Sequence, residues 1–159
     1  MNSKGIASLE RGIAMVELAI LTPLLVMLMF GVFELGRALY QEQVITKAVN
    51  AGARYMTRAY GVLDDNCTPQ GDWPAATDRA RALTVFAGGD EPLIKTLGTD
   101  NVSIVVARRD LPAPASAVCV IRVQVVFPFA GLFGENLLPF SRMTVPILNA
   151  AAEAVYIGD

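Results

Sequence analysis

The hydrophobic positions of this chain fall into one early unbroken run and several later periodic segments. The run extends from Ile13 to Phe33 and contains one charged residue, Glu17. A helix of about 21 residues, rising roughly 1.5 Å per residue, is about 30 Å long, which matches the hydrocarbon core of a bilayer. A cleaved secretory signal peptide is the alternative, but its apolar region is shorter and ends at a small-x-small site. No such site follows Phe33, so we predict a transmembrane helix over 13–33.

Helical periodicity continues beyond this run. Between Ala38 and Tyr60 the apolar residues recur at spacings of three and four, which predicts an amphipathic continuation of the helix over 34–60. Ala48 and Gly52 form a small-xxx-small pair that permits close approach of another helix. That helix belongs either to a partner protein or to the chain's own domain. Residues 1–12 are polar and too short to form a core, and we predict that they are a leader.

The remaining residues, 61–159, predict a small α+β domain. A loop rich in Asp, Asn, Gly and Pro is followed by a helix that starts near Asp72 and ends at Gly88–Gly89. Alternating apolar and polar residues then predict strands around 102–107, 119–127 and 143–147, with 150–155 either continuing the last strand or forming a helix. The predicted fold is a long N-terminal helix, a second helix and an antiparallel sheet of about three strands.

The link from Pro128 to Phe140 is unusually apolar for a connection, with three Phe and three Leu among Gly and Pro. An exposed apolar patch of this kind usually marks a contact surface. The alternative is that the link folds back over the sheet and the helix. The residues that we predict to contact a partner are Ala48, Gly52, Phe129, Phe133 and Leu137.

Composition and charge exclude several classes of function. The 159 residues are 53% hydrophobic and carry a net charge of −2, which favours no nucleic-acid partner. The chain has no histidine, which removes the Ser-His-Asp and Cys-His arrangements and most zinc sites. The spacing of its oxygen-bearing side chains matches neither a calcium loop nor a pair of hydrolytic carboxylates. The candidate metal ligands and carboxylates are Asp64, Asp65, Asn66, Asp72 and Asp110, and we expect no catalysis, metal, cofactor or small-molecule substrate.

The two cysteines, Cys67 and Cys119, both follow the apolar run. An even number of cysteines in an extracytoplasmic domain suits one disulfide, and two reduced buried thiols are the alternative. A disulfide closing a loop of about 50 residues would contribute roughly 2–4 kcal/mol. Because the charges flanking the run do not decide the orientation, the cysteines favour a cytoplasmic N-terminus and an outside C-terminal domain.

The stretch from Arg11 to Ala19 (RGIAMVELA) resembles the processing site of type IV prepilins. That family has a leader ending in Gly and a hydrophobic helix with Glu at its fifth mature position, and Glu17 is fifth when counted from Ile13. The longer pattern resembles TadE and its relatives, minor components of the Tad (tight-adherence) pilus apparatus; Leu18 departs from it, since the family often has an aromatic residue there. The pattern comprises Arg11–Gly12, Ala14, Val16–Glu17, Ala19, Pro23, Gly31, Glu34, Gly36–Arg37 and Ala51–Arg54.

The resemblance implies a structural role in a bacterial inner membrane. A prepilin peptidase would cut between Gly12 and Ile13, and the new amine would lie one helical turn from Glu17. The mature protein would be a minor pilin with a periplasmic domain, pairing with another minor pilin and other pilus assembly proteins, with incorporation into the pilus as a further expectation. TadF and TadG relatives share the pattern. The alternatives are a type II secretion pseudopilin and an uncleaved, membrane-anchored periplasmic binding domain or enzyme.

Overall fold

The fold was obtained as a computed structural model that describes residues 3–112, 117–129, 131–132 and 145–158, with side chains from residue 13 onward. The elements are two helices, a short 3₁₀ turn and three strands, and the predicted α+β class is confirmed. In chain order they are α1 (Ser3–Thr57), α2 (Trp73–Phe86), the 3₁₀ turn (Thr99–Asn101), β1 (Val102–Arg109), β2 (Val118–Pro128) and β3 (Ile147–Val155).

Helix α1 is a single helix of 55 residues. It begins ten residues before the predicted start at Ile13 and ends at Thr57, three residues before the predicted end. The sequence predicts a bend or local melting at Pro23, and the helix is continuous through that residue. The hydroxyl of Thr22 donates a hydrogen bond to the carbonyl of Leu18 at 2.6 Å, one turn back.

Helix α2 has the boundaries that its flanking residues predict. Asp72 occupies the N-cap position, and proline follows in the first turn, where the missing N–H has no helical partner in any case. The helix ends at Ala87, which is left-handed with φ 50° and donates its N–H to the Leu83 carbonyl at 3.0 Å. The helix thus ends directly before the predicted Gly88–Gly89 pair, and Gly88 is also left-handed, with φ 86°.

The three strands form an antiparallel sheet in the order β1–β2–β3. Val123 of the central strand is in register with Ile104 on one side and Ala152 on the other. Residues 150–155, left open between strand and helix by the sequence, belong to β3. Pro146 immediately precedes this edge strand, where it removes no N–H from the ladder. Met143, predicted to begin the strand, lies outside the described residues.

The core lies between the inner face of the sheet and the two helices, with α1 contributing its second half. Alternation along β2 turns every second side chain toward the helices, as the pattern predicts. The described side chains from Ile13 to Met29 lie outside this core. The central residues are Ile45, Val49, Ala53 and Met56 from α1, Ala76, Ala80 and Val85 from α2, and Ile121, Val123, Val125 and Phe127 from β2.

The segment after β3 closes the end of α1 that is far from the apolar run. The N–H groups of Ile157 and Gly158 donate to the Thr57 carbonyl at 3.0 and 3.3 Å. The hydroxyl of Tyr156 donates to the Ala59 carbonyl at 2.8 Å and accepts from the Val62 N–H at 3.3 Å. Helix ends leave backbone carbonyls without hydrogen-bond partners. This segment supplies the missing donors.

Candidate functional site

The first half of α1 is an exposed apolar rod. Every described side chain from Ile13 to Met29 is solvent-exposed in the isolated chain, and those of Val32 and Phe33 are exposed as well. Within the described residues, α1 is the helix that is long and apolar enough to cross a membrane. A soluble domain does not leave so large an apolar surface in water. The predicted transmembrane helix over 13–33 thus matches an apolar helix that could span a bilayer.

The predicted processing residues lie at the start of this rod. The backbone is helical from Ser3 through Gly12 and Ile13, and the side chains of Ile13 and Glu17 are exposed. Positions four apart lie one above the other on a helix, with about 5–6 Å between their β-carbons. An amine created at Ile13 would therefore lie within reach of the Glu17 carboxylate. Glu17 is the one charged residue in the largely apolar, exposed stretch 13–29.

A buried acidic residue marks the junction between the rod and the domain. Glu34 directly follows the apolar run and is only 1% exposed. Its Oε1 atom accepts a hydrogen bond from the backbone N–H of Leu132, and its Oε2 atom lies 3.3 Å from Nη1 of Arg37. The Arg37 guanidinium also lies 5.8 Å from the centre of the Phe129 ring, within the range of a cation–π contact. A buried carboxylate requires such partners, so this cluster ties the segment after β2 to α1.

Three of the predicted partner-contact residues serve the chain's own packing. Ala48 and Phe129 are buried, and Gly52 packs against Ala80 and Thr84 of α2. Their burial agrees with the alternative in which the Ala48–Gly52 pair and the apolar link pack on the chain's own domain, and a contact with a partner protein stays a prediction. Phe133 and Leu137 lie outside the described residues.

The oxygen-rich loop after α1 is organised around Asp64. Its Oδ1 atom accepts hydrogen bonds from the N–H groups of Thr68 at 2.7 Å and Asn66 at 2.9 Å, while Gln70 donates to Oδ2 at 3.3 Å. The hydrogen bond from Thr68 contributes most to lowering the pKa of Asp64 below its ordinary value. Within the described ranges, no group of three His, Cys, Asp or Glu side chains could hold a metal ion. The carboxylate stabilises a turn.

The disulfide expected from the sequence is present. Cys67 and Cys119 are bonded, with their α-carbons 5.3 Å apart and 52 positions separating them in the chain. Cys67 is left-handed with φ 63° at the tip of the loop, and Cys119 lies near the start of β2. The bond therefore fixes the loop on the sheet at the end far from the apolar rod.

Sequence reasoning missed two of these features. The burial of Glu34 depends on the N–H of Leu132, 98 positions later. The hydrogen bond from Tyr156 to the Ala59 carbonyl, which we call the Tyr156 clasp, joins residues 97 positions apart. For Glu34 the available signal was its place, with Arg37, in the TadE-like pattern. A charged residue that directly follows a membrane-length run and belongs to a family pattern could have been predicted to have an ion-pair or hydrogen-bond partner. Tyr156 gave no comparable signal.

The described residues form an α+β fold in which one helix, α1, could span a membrane. A family model described as TadE-like protein matches residues 12–54, which include the predicted cleavage position, the apolar rod and the buried Glu34. The resemblance seen in the sequence is confirmed over this segment, and it indicates a component associated with the Tad pilus. No curated protein and no solved structure matches the chain.

Proposed function

We propose that this protein is a minor pilin of the Tad pilus, made as a precursor and cut by a prepilin peptidase between Gly12 and Ile13. The observation that carries the proposal is the position of these residues at the start of an exposed apolar helix, with Glu17 one turn further on. Residues 1–12 are then the leader, and 61–159 form a periplasmic domain that is held at the membrane by 13–33 and carried by 34–60. The protein has a structural role and no catalytic one.

Cleavage requires access to a backbone that is helical in the precursor. A peptide bond within a continuous helix is folded against its own turn, and a protease needs it opened. Glycine lowers helix stability by about 1 kcal/mol relative to alanine and presents no side chain. Gly12 is therefore suited to the cleavage position. The α-amine released at Ile13 then offsets the charge of Glu17, of this subunit or of a neighbouring one, in the apolar surroundings of a helix bundle.

The first experiment measures the mass of the protein from cells with and without an active prepilin peptidase. The expected product is a chain beginning at Ile13, and Gly12→Val is expected to block its formation. Gly5→Val is the matched control, because it changes a glycine of the leader away from the cleaved bond. A chain that keeps residues 1–12 in the presence of active peptidase would refute the proposal and favour an uncleaved membrane anchor.

A second experiment separates processing from assembly. Glu17→Ala is expected to leave cleavage between Gly12 and Ile13 intact and to abolish pilus formation, because no carboxylate then meets the new amine. Glu42→Ala, which removes an exposed acid further along the same helix, is expected to leave both intact. Normal pili from the Glu17 variant would contradict the assembly role. A locus beside type II secretion genes would instead support the pseudopilin alternative.

Pairing with a second minor pilin is the remaining part of the proposal. The apolar residues Phe133 and Leu137 are the contacts that we retain from the sequence, since Phe129, Ala48 and Gly52 are buried. Replacing Phe133 and Leu137 with serine is expected to abolish co-purification with that second pilin. Val105→Ser, on the exposed face of the sheet, serves as the control. Unchanged pairing would overturn the assignment of these contacts.

A further inference from the structure

The junction between α1 and the domain fixes which end of the domain faces the membrane. Glu34 is the first residue after the apolar run, so its carboxylate lies within about one helical turn, roughly 5 Å, of the end of the candidate span. Leu132 donates its N–H to that carboxylate. Phe129 and Leu132 therefore lie beside α1, close to the residue at which the candidate span ends.

This end of the domain is apolar and exposed. Leu132 is 56% exposed although its backbone is hydrogen-bonded to a buried group, and Leu35 of α1 is exposed at the same level. Ile147 is 70% exposed and is in register with Pro128 at the end of β2, just before the segment that reaches Glu34. The Phe129 N–H donates to the Pro146 carbonyl at 3.0 Å, which holds the two chain segments together. We call Leu35, Leu132 and Ile147 the membrane-proximal apolar surface.

The distribution of charged side chains around this surface is compatible with contact with lipid. The described residues 128–129, 131–132 and 145–147 include no charged side chain. On α1 beside this surface, the carboxylate of Glu34 is buried and paired, and the guanidinium of Arg37, one turn further from the span, contacts both that carboxylate and the Phe129 ring. Apolar side chains below an arginine form the arrangement that an interfacial segment presents to acyl chains and headgroups.

We infer that the membrane-proximal apolar surface is immersed in the outer boundary of the bilayer, so that the domain rests on lipid through Leu132 and Ile147 and is not held by α1 alone. The lipid contact rests on the membrane anchoring in the proposed function. It goes beyond that anchoring because it fixes the tilt and height of the domain before any partner is present. The Glu34–Leu132 hydrogen bond positions the segment, and the exposed side chains make the contact.

The contact can be tested on the full chain in nanodiscs of phosphatidylcholine and phosphatidylglycerol, with no other pilus protein present. Because both native cysteines are disulfide-bonded, Leu132→Cys supplies one free thiol for an environment-sensitive nitrobenzoxadiazole label. The readout is loss of emission caused by nitroxide-bearing lipids, with the nitroxide near the headgroup end of the acyl chain for position 132 and near its terminal methyl group for position 24. Val105→Cys is the control, since Val105 is comparably exposed, at 53%, on the outward face of the sheet. Leu24→Cys, inside the candidate span, reports the anchoring itself.

The expected result is strong loss of emission at Leu132 and Leu24 with little at Val105. Quenching at Leu24 without quenching at Leu132 would overturn the lipid contact and leave the proposed anchoring intact. Failure at Leu24 as well would remove both. Protection of the Leu132 label only after a second minor pilin is added would also overturn the inference and assign this surface to a protein partner. Ile147→Cys repeats the measurement independently if the Leu132 variant fails to fold.

Discussion

Gly52 of α1 and Thr84 of α2 lie so close together that the hydroxyl of Thr84 fills the space that a β-carbon at position 52 would occupy. Thr84 is fully buried, and its hydroxyl donates to the Ala80 carbonyl at 2.8 Å, so it cannot turn away without losing that hydrogen bond. Glycine is therefore required at this point of the helix pair for packing. The small residue that suggested a partner helix serves α2 of the same chain.

Replacing Gly52 with alanine is expected to lower the free energy of unfolding by about 1–3 kcal/mol, because it overpacks a buried contact. Urea unfolding of the full chain in detergent, followed through the fluorescence of Trp73, the single tryptophan, measures the change. Gly36→Ala is the matched control: no atom lies within 4 Å of its added β-carbon. The close approach would be refuted if the two variants unfolded at the same urea concentration.

Tyr156→Phe removes a hydroxyl that partners two backbone groups, the Ala59 carbonyl and the Val62 N–H. The expected loss is about 1–3 kcal/mol, since both groups are left without their partner in a partly buried site. Tyr60→Phe, at a side chain that is 81% exposed, is expected to change the same unfolding curve by less than about 0.5 kcal/mol. Equal effects from the two tyrosines would argue against the clasp.

Removing the disulfide through Cys67→Ser and Cys119→Ser together is expected to cost roughly 2–4 kcal/mol, because the unfolded chain regains the freedom of a long loop. Mobility on non-reducing gels tests whether the bond forms in the cell, and reductant should shift the wild type alone. If reductant changed neither the mobility nor the unfolding midpoint of the wild type, the two thiols would not be bonded there.

Acid is expected to weaken the domain through Glu153. Hydrogen bonds from Arg122 and then from Arg109 hold the pKa of Glu153 below its ordinary value of 4.5. Since the folded pKa is the lower one, the stabilisation is complete above the unfolded value and is lost as the pH falls through the folded value. The stability difference between the wild type and Glu153→Gln should therefore shrink as the pH is lowered below about 4.

Chemical denaturation across this pH range measures that difference, with Glu91→Gln as a control for removing an exposed charge. Asp64 acts in the same direction, because the Thr68 N–H is the chief cause of its lowered pKa. A difference that stayed constant from neutral to acidic pH would show that the arginines do not hold Glu153 in its charged form.

The elements were predictable because each follows from a local pattern. The membrane-length run of 13–33, the spacing of three and four up to Tyr60 and the alternation from Cys119 to Phe127 involve neighbours in the sequence. The continuation of β3 through residues 150–155 was not decided, since the strand pattern before it favours a strand whereas an alanine-rich stretch favours a helix. Pairing with β2, at positions such as Ala152 opposite Val123, decides it.

The candidate site was predictable only in part, because its remaining features depend on distant contacts. A phenyl ring in a greasy link has the same sequence signature whether it is buried or exposed, so Phe129 was assigned to a partner although it is 2% exposed. The sequence pattern does not predict the burial of Glu34, because the N–H that donates to its carboxylate comes from the distant Leu132. The processing motif is local, and a pattern of neighbours is enough to suggest it.

The hydrogen bonds between the segment after β3 and the end of α1 can form only late in synthesis. Thr57 and Ala59 leave the ribosome about a hundred residues before the strand and segment that satisfy their carbonyls. Until that later segment has been made, the carbonyls at the end of α1 lack these hydrogen-bond donors. A chain that terminated before Tyr156 is therefore expected to have a frayed end on α1.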